Sequence, residues 1–337
     1  MSQPSPDPRS APEDATLNID DLRLLHHWHN ASEQDDFAPF VDHAHVDKRQ
    51  HYNRTIELSF RHPYLLHALL SLSALHLLHG TGKTEAKLYQ LASAHNLAAM
   101  KLARPQVARG EAEHRDAVFN FAAFTSLYST AEPPLRTGDA AITTSASVID
   151  GLLDAFKMSK GVRAVQDPFM EELKISGSLN QGLWVDNRDE IIPTLEKNYP
   201  QLGVLNEMIE KHCDQRQKQA CLDAVRLTFV SIGVFATNHK NHSSLRLIQT
   251  WPMDIDTICL ELFEAHHPVG LIILAHYAAL MGMRRNYWFF NRWPPILLDA
   301  VTELLSKEWH QYLDWPKEVI LKEEKAISST PSVSDAT

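Results

Sequence analysis

The 19 histidines of this sequence are the first side chains that could carry metal or acid–base chemistry. His43 and His45 stand in an Asp-rich stretch with the composition of a metal site, but no third ligand is identifiable nearby. His76 and His79 would share one helical face, yet no acidic residue lies in register with them and leucines surround them. The pattern therefore predicts a solvated polar segment at His43, core packing at His76 and no metal site.

The cysteines do not supply a metal site either. The chain has three of them, Cys213, Cys221 and Cys259. A binuclear zinc cluster requires twice as many thiolates at short spacings, because each zinc is tetrahedral and prefers soft ligands. No neighbouring base activates these thiols, so we interpret them as structural or incidental.

Glycine-rich motifs give no cofactor site. Residues 80–84, Gly-Thr-Gly-Lys-Thr, are similar to the end of a phosphate-binding loop. The full motif needs a further glycine where this chain has Leu77, and a strand before it where this chain has a helical pattern. A helix end and a turn are therefore predicted. We find no nucleophile-elbow motif and no dinucleotide-binding glycine pattern, so the catalytic residues stay unknown and no cofactor is predicted.

An aromatic cluster near the C-terminal end is the better candidate for binding. Tyr287, Trp288, Phe289 and Phe290 are consecutive, and Trp293 follows them. Rigid rings bury apolar surface at little entropic cost, so such a cluster can line a ligand pocket. The more common role of such a cluster is a core layer where helices meet. The sequence leaves both interpretations open.

Helices must position these side chains almost throughout. Hydrophobic residues make up 44% of the chain and glycine is scarce at 12 residues, which suits helices better than sheets with tight turns. No convincing alternation of apolar and polar residues predicts a strand. Asn18 or Asp20 is expected to cap a first helix that carries Trp28. Apolar periodicity predicts further helices at Tyr64–Leu78, Ala86–Leu102, Ala117–Tyr128, Ile142–Phe156, Ala220–Phe235, Ile255–Phe263, Val269–Met283 and Ile296–Tyr312. The predicted fold class is all-α, with an apolar core or pocket.

One large helical domain is expected, over residues 17–325. Residues 1–16 carry prolines and polar residues with almost no apolar content, and a disordered segment is predicted there. Residues 326–337 are predicted to be a disordered tail. The weakest helical pattern lies in residues 176–200, where glycines and prolines favour a long loop.

Charge and composition exclude several classes of function. A net charge of −10 without a basic stripe predicts no direct contact with nucleic acid. The longest apolar candidate, Val269–Met283, is too short for a membrane span and contains His276, so no membrane segment is predicted. Three scattered cysteines and no secretory signal favour a reducing compartment, and the predicted location is the nucleus or cytoplasm.

Four stretches of the sequence carry a resemblance to a known family. Residues 24–28, Leu-Leu-His-His-Trp, come first, and residues 62–77, which begin His-Pro-Tyr-Leu-Leu-His, come second, continued by Tyr89, Ala94, His95 and Ala98. Residues 271–278, Leu-Ile-Ile-Leu-Ala-His-Tyr-Ala, come third, and Trp309, Leu313, Trp315 and Pro316 close the series. In this order they resemble the regulatory domain of fungal zinc-cluster transcription factors of the sterol-uptake-regulator type, over roughly residues 20–320. The zinc-cluster DNA-binding domain that usually precedes that domain has no counterpart among these residues.

The resemblance implies an all-α domain with an apolar pocket that holds a sterol or a similar lipid, and frequent self-association. We place the pocket between helix 64–78, helix 119–128 and segment 269–290. The predicted pocket residues are Tyr64, His67, Phe124, Tyr128, His276, Met281, Trp288, Phe289 and Phe290. The chain departs from the family pattern at Asn291-Arg292-Trp293, where relatives often carry a Trp-Gly pair. The arginine there is expected to alter the pocket mouth.

The functional expectation is a transcription-regulator-like protein of sterol or secondary-metabolite genes. It would sense an apolar ligand, a sterol or a polyketide- or terpenoid-like molecule, or act as a homodimer or as a heterodimer with a DNA-binding relative. The alternative is an enzyme or carrier of a biosynthetic cluster that uses the same pocket to fold or isomerise a hydrophobic substrate. Such pericyclase-like chemistry needs shape and a few polar groups rather than a catalytic triad.

Overall fold

The computed structural model describes residues 18–33, 48–81, 85–110, 112–136, 143–175, 191–237, 244–284 and 287–328. Over these ranges the chain forms 14 α-helices and no strand. The prediction of an all-α fold is therefore confirmed. The helices are α1 Ile19–Glu33, α2 Lys48–Arg61, α3 Pro63–Thr81, α4 Ala86–Arg109, α5 Arg115–Ala131, α6 Ser145–Ile175, α7 Leu195–Asn198, α8 Gln201–His212, α9 Gln215–Thr237, α10 Ser244–Asp254, α11 Thr257–Glu264, α12 Pro268–Gly282, α13 Trp293–Leu304 and α14 Asp314–Ser328. Short 3₁₀ turns occupy Ala112–His114, Pro133–Leu135, Ile192–Thr194 and Lys307–Leu313.

Local sequence explains where several helices begin. Asn18 caps α1, because its Oδ1 accepts hydrogen bonds from the backbone N–H groups of Asp20 at 3.1 Å and Asp21 at 3.3 Å. Both aspartates lie in the first turn of α1, where the helix dipole favours negative charge. Proline is the first residue of α3 and of α12, where a missing N–H leaves no hydrogen bond unmade.

Some helix boundaries differ from the expected ones. Helix α4 continues through Pro105 to Arg109 and ends at Gly110, whose φ of 63° is the left-handed conformation that glycine adopts without strain. The expected helix 296–312 is divided into α13 and a 3₁₀ segment, because the chain becomes extended at Leu305. Helix α6 is much longer than the expected 142–156. Helix α2 was not expected at all.

Two helices form the centres of packing. Helix α3 packs against α1, α2, α4 and α5, and α12 packs against α9, α11, α13 and α14. Helix α6 contacts α5 of the first group and α11 and α13 of the second, as well as α10, so it joins the two groups. Every residue of α12 from Val269 to Gly282 is buried, as its uniformly apolar sequence requires. The buried hydrophobic residues form a core cluster that extends from Leu24 to Ile320.

Helix α9 is long and apolar enough over Gln215–Ala236 to cross a membrane, but 67% of its most apolar stretch is buried inside the protein. The sequence analysis considered only Val269–Met283 as an apolar candidate, whereas α9 carries the charged residues Asp223 and Arg226 within its length. Helices α11 and α12 are long and apolar enough only when taken together, and they are bent by 107° relative to each other. The burial of α9 is that of a core helix.

Several expectations fall on residues outside the described ranges. These are the segment 1–16, His43 and His45, Gly82 to Thr84, residues 176–190 of the expected loop, and residues 329–337 of the expected tail. At the tail, helix α14 continues to Ser328. In the expected loop, the chain is helical over most of residues 191–198.

Candidate functional site

All nine residues predicted to line a pocket lie in the described part of the chain. Eight are buried and His67 is partly buried. Their ring contacts and hydrogen bonds fall into three groups, which lie around α3 and α5, around Trp288, and around α12.

The first group is an aromatic layer between α1, α2, α3 and α5. The Tyr64 ring packs edge-on against Phe121, with a centroid distance of 5.6 Å. Phe124 packs in the same way against Trp28 at 5.2 Å, and Trp28 in turn contacts Tyr52 at 6.4 Å. Edge-to-face contacts of this kind place the positive ring edge against the negative ring face. The layer fixes the relative positions of the four helices.

Unpaired hydroxyl groups lie in or beside this layer. Tyr64 Oη and Thr125 Oγ1 are buried and have no hydrogen-bond partner. Ser73 Oγ, further along α3, is also buried without a hydrogen-bond partner. Thr125 follows Phe121 by one helical turn, on the same face of α5. Burial raises the pKa of Tyr64 to about 12, so its hydroxyl is neutral at pH 7. An unpaired buried hydroxyl costs about 1–3 kcal/mol, which a bound molecule with a polar atom would recover.

A histidine relay lies beside the layer. His95 Nε2 is 3.2 Å from Asp21 Oδ1, and His95 Nδ1 is 2.8 Å from His67 Nδ1. When His95 donates its Nε2–H to the carboxylate, its Nδ1 accepts from the Nδ1–H of His67. Nε2 of His67 is then unprotonated, and its lone pair can accept a hydrogen bond. Burial and then the neighbouring His95 lower the pKa of His67, while Asp21 opposes the shift. The arrangement makes His67 a hydrogen-bond acceptor one turn from Tyr64 on α3.

The sequence did not reveal this relay. Asp21, His67 and His95 lie on three different helices, and no spacing in the sequence connects them. His67 and His95 both stand in stretches that carried the resemblance, and that was the one available signal.

Tyr128, on the face of α5 towards α4, lies beside a paired carboxylate. Tyr89 Oη donates a hydrogen bond of 2.6 Å to Glu132 Oε1. Arg136 Nε contacts both oxygens of Glu132, at 3.0 and 3.1 Å. Burial, and then the Glu132 charge, raises the pKa of Tyr128. Tyr128 is therefore a neutral, buried side chain held next to a satisfied polar network.

The second group of contacts surrounds Trp288. Its indole lies 5.1 Å from the ring of His76 and 6.0 Å from that of His79, both on α3. It also packs edge-on against Phe289 at 5.8 Å. The His76 ring stacks on His27 of α1, with Nδ1 and Nε2 at 2.9 Å. Burial, followed by the proximity of His27, lowers the pKa of His76 to about 4. This group connects α1, α3 and the segment before α13.

The same segment contains Arg292 and Trp293, which both contact the end of α5 or the turn after it. Arg292 Nη1 reaches the Pro134 carbonyl oxygen at 3.5 Å, and Trp293 Nε1 donates to the Thr130 carbonyl oxygen at 2.6 Å. Trp293 is fully buried. These contacts hold the start of α13 against the end of α5.

The third group surrounds His276 on α12. Its ring stacks almost parallel on Trp315 at 5.6 Å and lies 6.0 Å from Phe229. Its Nδ1 donates to the Ile272 carbonyl oxygen at 2.9 Å. Burial lowers the pKa of His276 to about 4, so the imidazole is neutral at pH 7. His276 thus contacts α9 and α14, and Met281, further along α12, is 1% exposed.

Within the described ranges, no group of three or more His, Cys, Asp or Glu side chains is arranged to hold a metal ion. The chemistry that the geometry does offer is hydrogen bonding by Tyr64, Thr125 and His67 at an aromatic layer.

The fold and these contacts define an all-α protein with aromatic and histidine side chains buried between its helices. No known family profile matches the chain. The sequence is similar to Sterol uptake control protein 2 of Saccharomyces cerevisiae, with 35% identity over 103 residues that cover 30% of this chain and 10% of that protein. It is also similar to Sterol uptake control protein 2 of Candida albicans, with 30% identity over 118 residues that cover 35% of this chain and 15% of that protein. The matches span a small part of these relatives, and they support a relationship to fungal regulators of this type.

Proposed function

We propose that this chain acts in fungal transcription regulation, as an all-α region that senses an apolar molecule and controls sterol or secondary-metabolite genes. The observation that carries the proposal is the partial similarity to two fungal Sterol uptake control proteins, on a fold that is helical throughout the described residues. The match to the yeast protein reaches 35% identity over 103 residues.

The aromatic layer around Tyr64 supports the sensing role. Tyr64 Oη and Thr125 Oγ1 are buried hydroxyls without partners, and they stand among the aromatic rings of α1, α3 and α5. His67, one turn from Tyr64, is held by His95 and Asp21. A largely apolar molecule with one hydroxyl or carbonyl group matches such a site, because its polar atom pairs with the orphaned hydroxyls. A sterol or a terpenoid- or polyketide-like compound has this chemistry.

The acidic charge supports regulation without direct contact between these residues and DNA. A net charge of −10 is unfavourable for binding to phosphate groups, which attract positively charged surfaces. In the proposed function, a DNA-binding relative supplies the contact with DNA. This chain pairs with that relative either directly or as a homodimer. The proposed location is the nucleus.

Ligand binding is tested with the purified 337-residue protein and a set of tritiated sterols, each with and without its hydroxyl group. We expect binding of the hydroxylated compounds, weakened about 10-fold or more by Tyr64→Phe, since each hydrogen bond contributes about 1 kcal/mol and an unpaired ligand hydroxyl adds to the loss. Tyr312→Phe, a similar change in the last 3₁₀ turn, is the matched control and should bind as the wild type does. If wild type and Tyr64→Phe bind every compound with equal affinity, Tyr64 is not part of the binding site.

Gene deletion separates regulation from the enzyme or carrier alternative. Loss of a regulator lowers the transcripts of its target genes. Loss of a biosynthetic enzyme leaves those transcripts intact and accumulates an intermediate. A gel shift with the purified protein checks the DNA claim, and a specific shift by this chain alone contradicts it.

A further inference from the structure

The three cysteines of the chain converge on one buried place, although the sequence gave no reason to connect them. Cys213 lies in the turn between α8 and α9, Cys221 lies on α9 and Cys259 on α11. The sulfur atoms of Cys213 and Cys221 are 3.9 Å apart. Cys259 lies close enough to Cys221 to raise the pKa of its thiol. Cys259 donates in turn to the Ala220 carbonyl oxygen at 3.4 Å.

The three thiols differ in access from solvent. Cys213 is 8% exposed, whereas Cys221 and Cys259 are 0% exposed. Cys213 ends α8 in an extended conformation, and the next residue, Asp214, is exposed. A small oxidant arriving from solvent therefore meets Cys213 first and finds Cys221 directly behind it.

We propose that Cys213 and Cys221 form a redox modification site at which a hydroperoxide converts the two thiols into an intramolecular disulfide. Cys213 attacks the peroxide oxygen, becomes a sulfenic acid and releases an alcohol, or water in the case of hydrogen peroxide. Cys221 then attacks the oxidised sulfur, the sulfur–sulfur bond forms and water leaves. In sum, two thiols lose two electrons and two protons, and one peroxide bond is reduced.

The geometry selects this pair over Cys221 and Cys259. The sulfurs of Cys213 and Cys221 are already 3.9 Å apart, close to van der Waals contact, and a disulfide requires them to approach to about 2 Å. Cys259 is fully enclosed and hydrogen-bonded to the backbone. The disulfide would join the end of α8 to α9, and α9 carries Phe229, which contacts His276 and Trp315.

The reaction is expected to be slow. Burial raises the pKa of Cys213 to about 12, which reduces the thiolate that attacks the peroxide. The higher intrinsic nucleophilicity of a more basic thiolate offsets part of this loss, so the expected rate is on the order of 100-fold below that of a free cysteine. The site thus responds to sustained oxidant rather than to a brief pulse.

The test oxidises the full chain, purified in the reduced state, with hydrogen peroxide over several hours. Thiols that remain are then alkylated in denaturant, and the protein is digested and analysed by mass spectrometry without reduction. We expect a peptide pair linked through Cys213 and Cys221, with Cys259 alkylated. Cys259→Ala is the matched control, since it changes a buried member of the cluster outside the pair, and it should form the same disulfide.

Cys213→Ser should abolish the disulfide, and because Cys213 stands at the edge of the cluster this variant is expected to stay folded by circular dichroism. Cys221→Ala should abolish the disulfide as well, and if that variant fails to fold, the Cys213→Ser result decides alone. A link between Cys221 and Cys259, a disulfide between two molecules, or sulfinic acid at Cys213 without any disulfide each overturns the proposal. So does alkylation of all three thiols after oxidation.

Discussion

Nε2 of His27 lies 2.9 Å from Nδ1 of His76, and the two rings stack with a centroid distance of 5.0 Å. The pair joins α1 to α3, 49 residues apart in sequence. A hydrogen bond between two imidazoles needs one nitrogen without a proton, so protonation of both rings removes it. The hydrogen bond is thus kept while at least one of the two rings is neutral.

The first prediction is a pH dependence of stability. Burial holds the pKa of His76 at about 4, below its value of 6.5 in the unfolded chain. Because the unfolded state binds the proton more tightly, the stabilisation is complete above pH 6.5 and is lost as the pH falls towards 4. Between pH 7 and pH 5 the loss from this residue is about 2 kcal/mol. The free energy of unfolding, measured with urea, should fall between pH 7 and pH 5 in both proteins. In His76→Phe this fall should be about 2 kcal/mol smaller than in the wild type.

Trp288→Phe is the control for this prediction, since it alters the packing next to His76 but keeps both imidazoles. It should retain the pH dependence of the wild type. An unchanged pH dependence in His76→Phe contradicts the assignment of the shift to this residue.

The second prediction compares two Tyr→Phe substitutions, each of which removes one hydroxyl group. Tyr89 Oη donates to Glu132 at 2.6 Å, and Glu132 is only 9% exposed. Tyr89→Phe should therefore cost about 1.5–3 kcal/mol of unfolding free energy, as expected for a hydrogen bond to a charged group. Tyr64 Oη has no partner, so Tyr64→Phe should be neutral or stabilising in the absence of ligand. Chemical denaturation measures both, and a larger loss for Tyr64→Phe than for Tyr89→Phe reverses the expected order.

The third prediction concerns a close approach of two helices. A Cβ atom at Gly270 on α12 would lie 3.1 Å from the backbone carbonyl group of Leu262 on α11. Backbone atoms cannot move aside cheaply, so Gly270→Ala should destabilise the protein by about 1–3 kcal/mol. Gly203 on α8 has open space around the corresponding position. Gly203→Ala should therefore stabilise by about 0.5–1 kcal/mol through helix propensity. Melting temperatures that shift in the same direction for both variants disagree with this geometry.

The fourth prediction addresses the two interpretations of the aromatic cluster. Trp288 is 7% exposed and contacts the rings of His76, His79 and Phe289. On these contacts we expect Trp288→Ala to cost about 3–5 kcal/mol, as for a packed core residue. Leu97→Ala, at a 55% exposed position on α4, is the control and should change stability by less than about 0.5 kcal/mol. A small loss of stability together with weaker binding of an apolar ligand would instead make Trp288 part of a pocket wall.

Much of the fold follows from sequence patterns alone. The apolar faces of α3 and α12 and the prolines at their first positions define central helices with the expected starts. The first cap is set locally by Asn18. These features depend on residues within a few positions of each other, and local chain geometry is sufficient to determine them. Expectation and structure differ at Pro105, which lies inside α4, and at Leu305, where the chain becomes extended.

The tertiary structure decided which histidine, aspartate and cysteine side chains contact each other. His27 meets His76, Asp21 meets His95, and Cys213 meets Cys221, which in turn meets Cys259. Apart from Cys213 and Cys221, which are 8 residues apart, these partners stand on different helices, far apart in sequence. Periodicity identifies which face of a helix is buried, but it does not state which other helix covers that face. That choice depends on how all the helices fill one core together, and it alone determines which imidazoles lose their protons, which hydroxyls stay unpaired and which thiols touch.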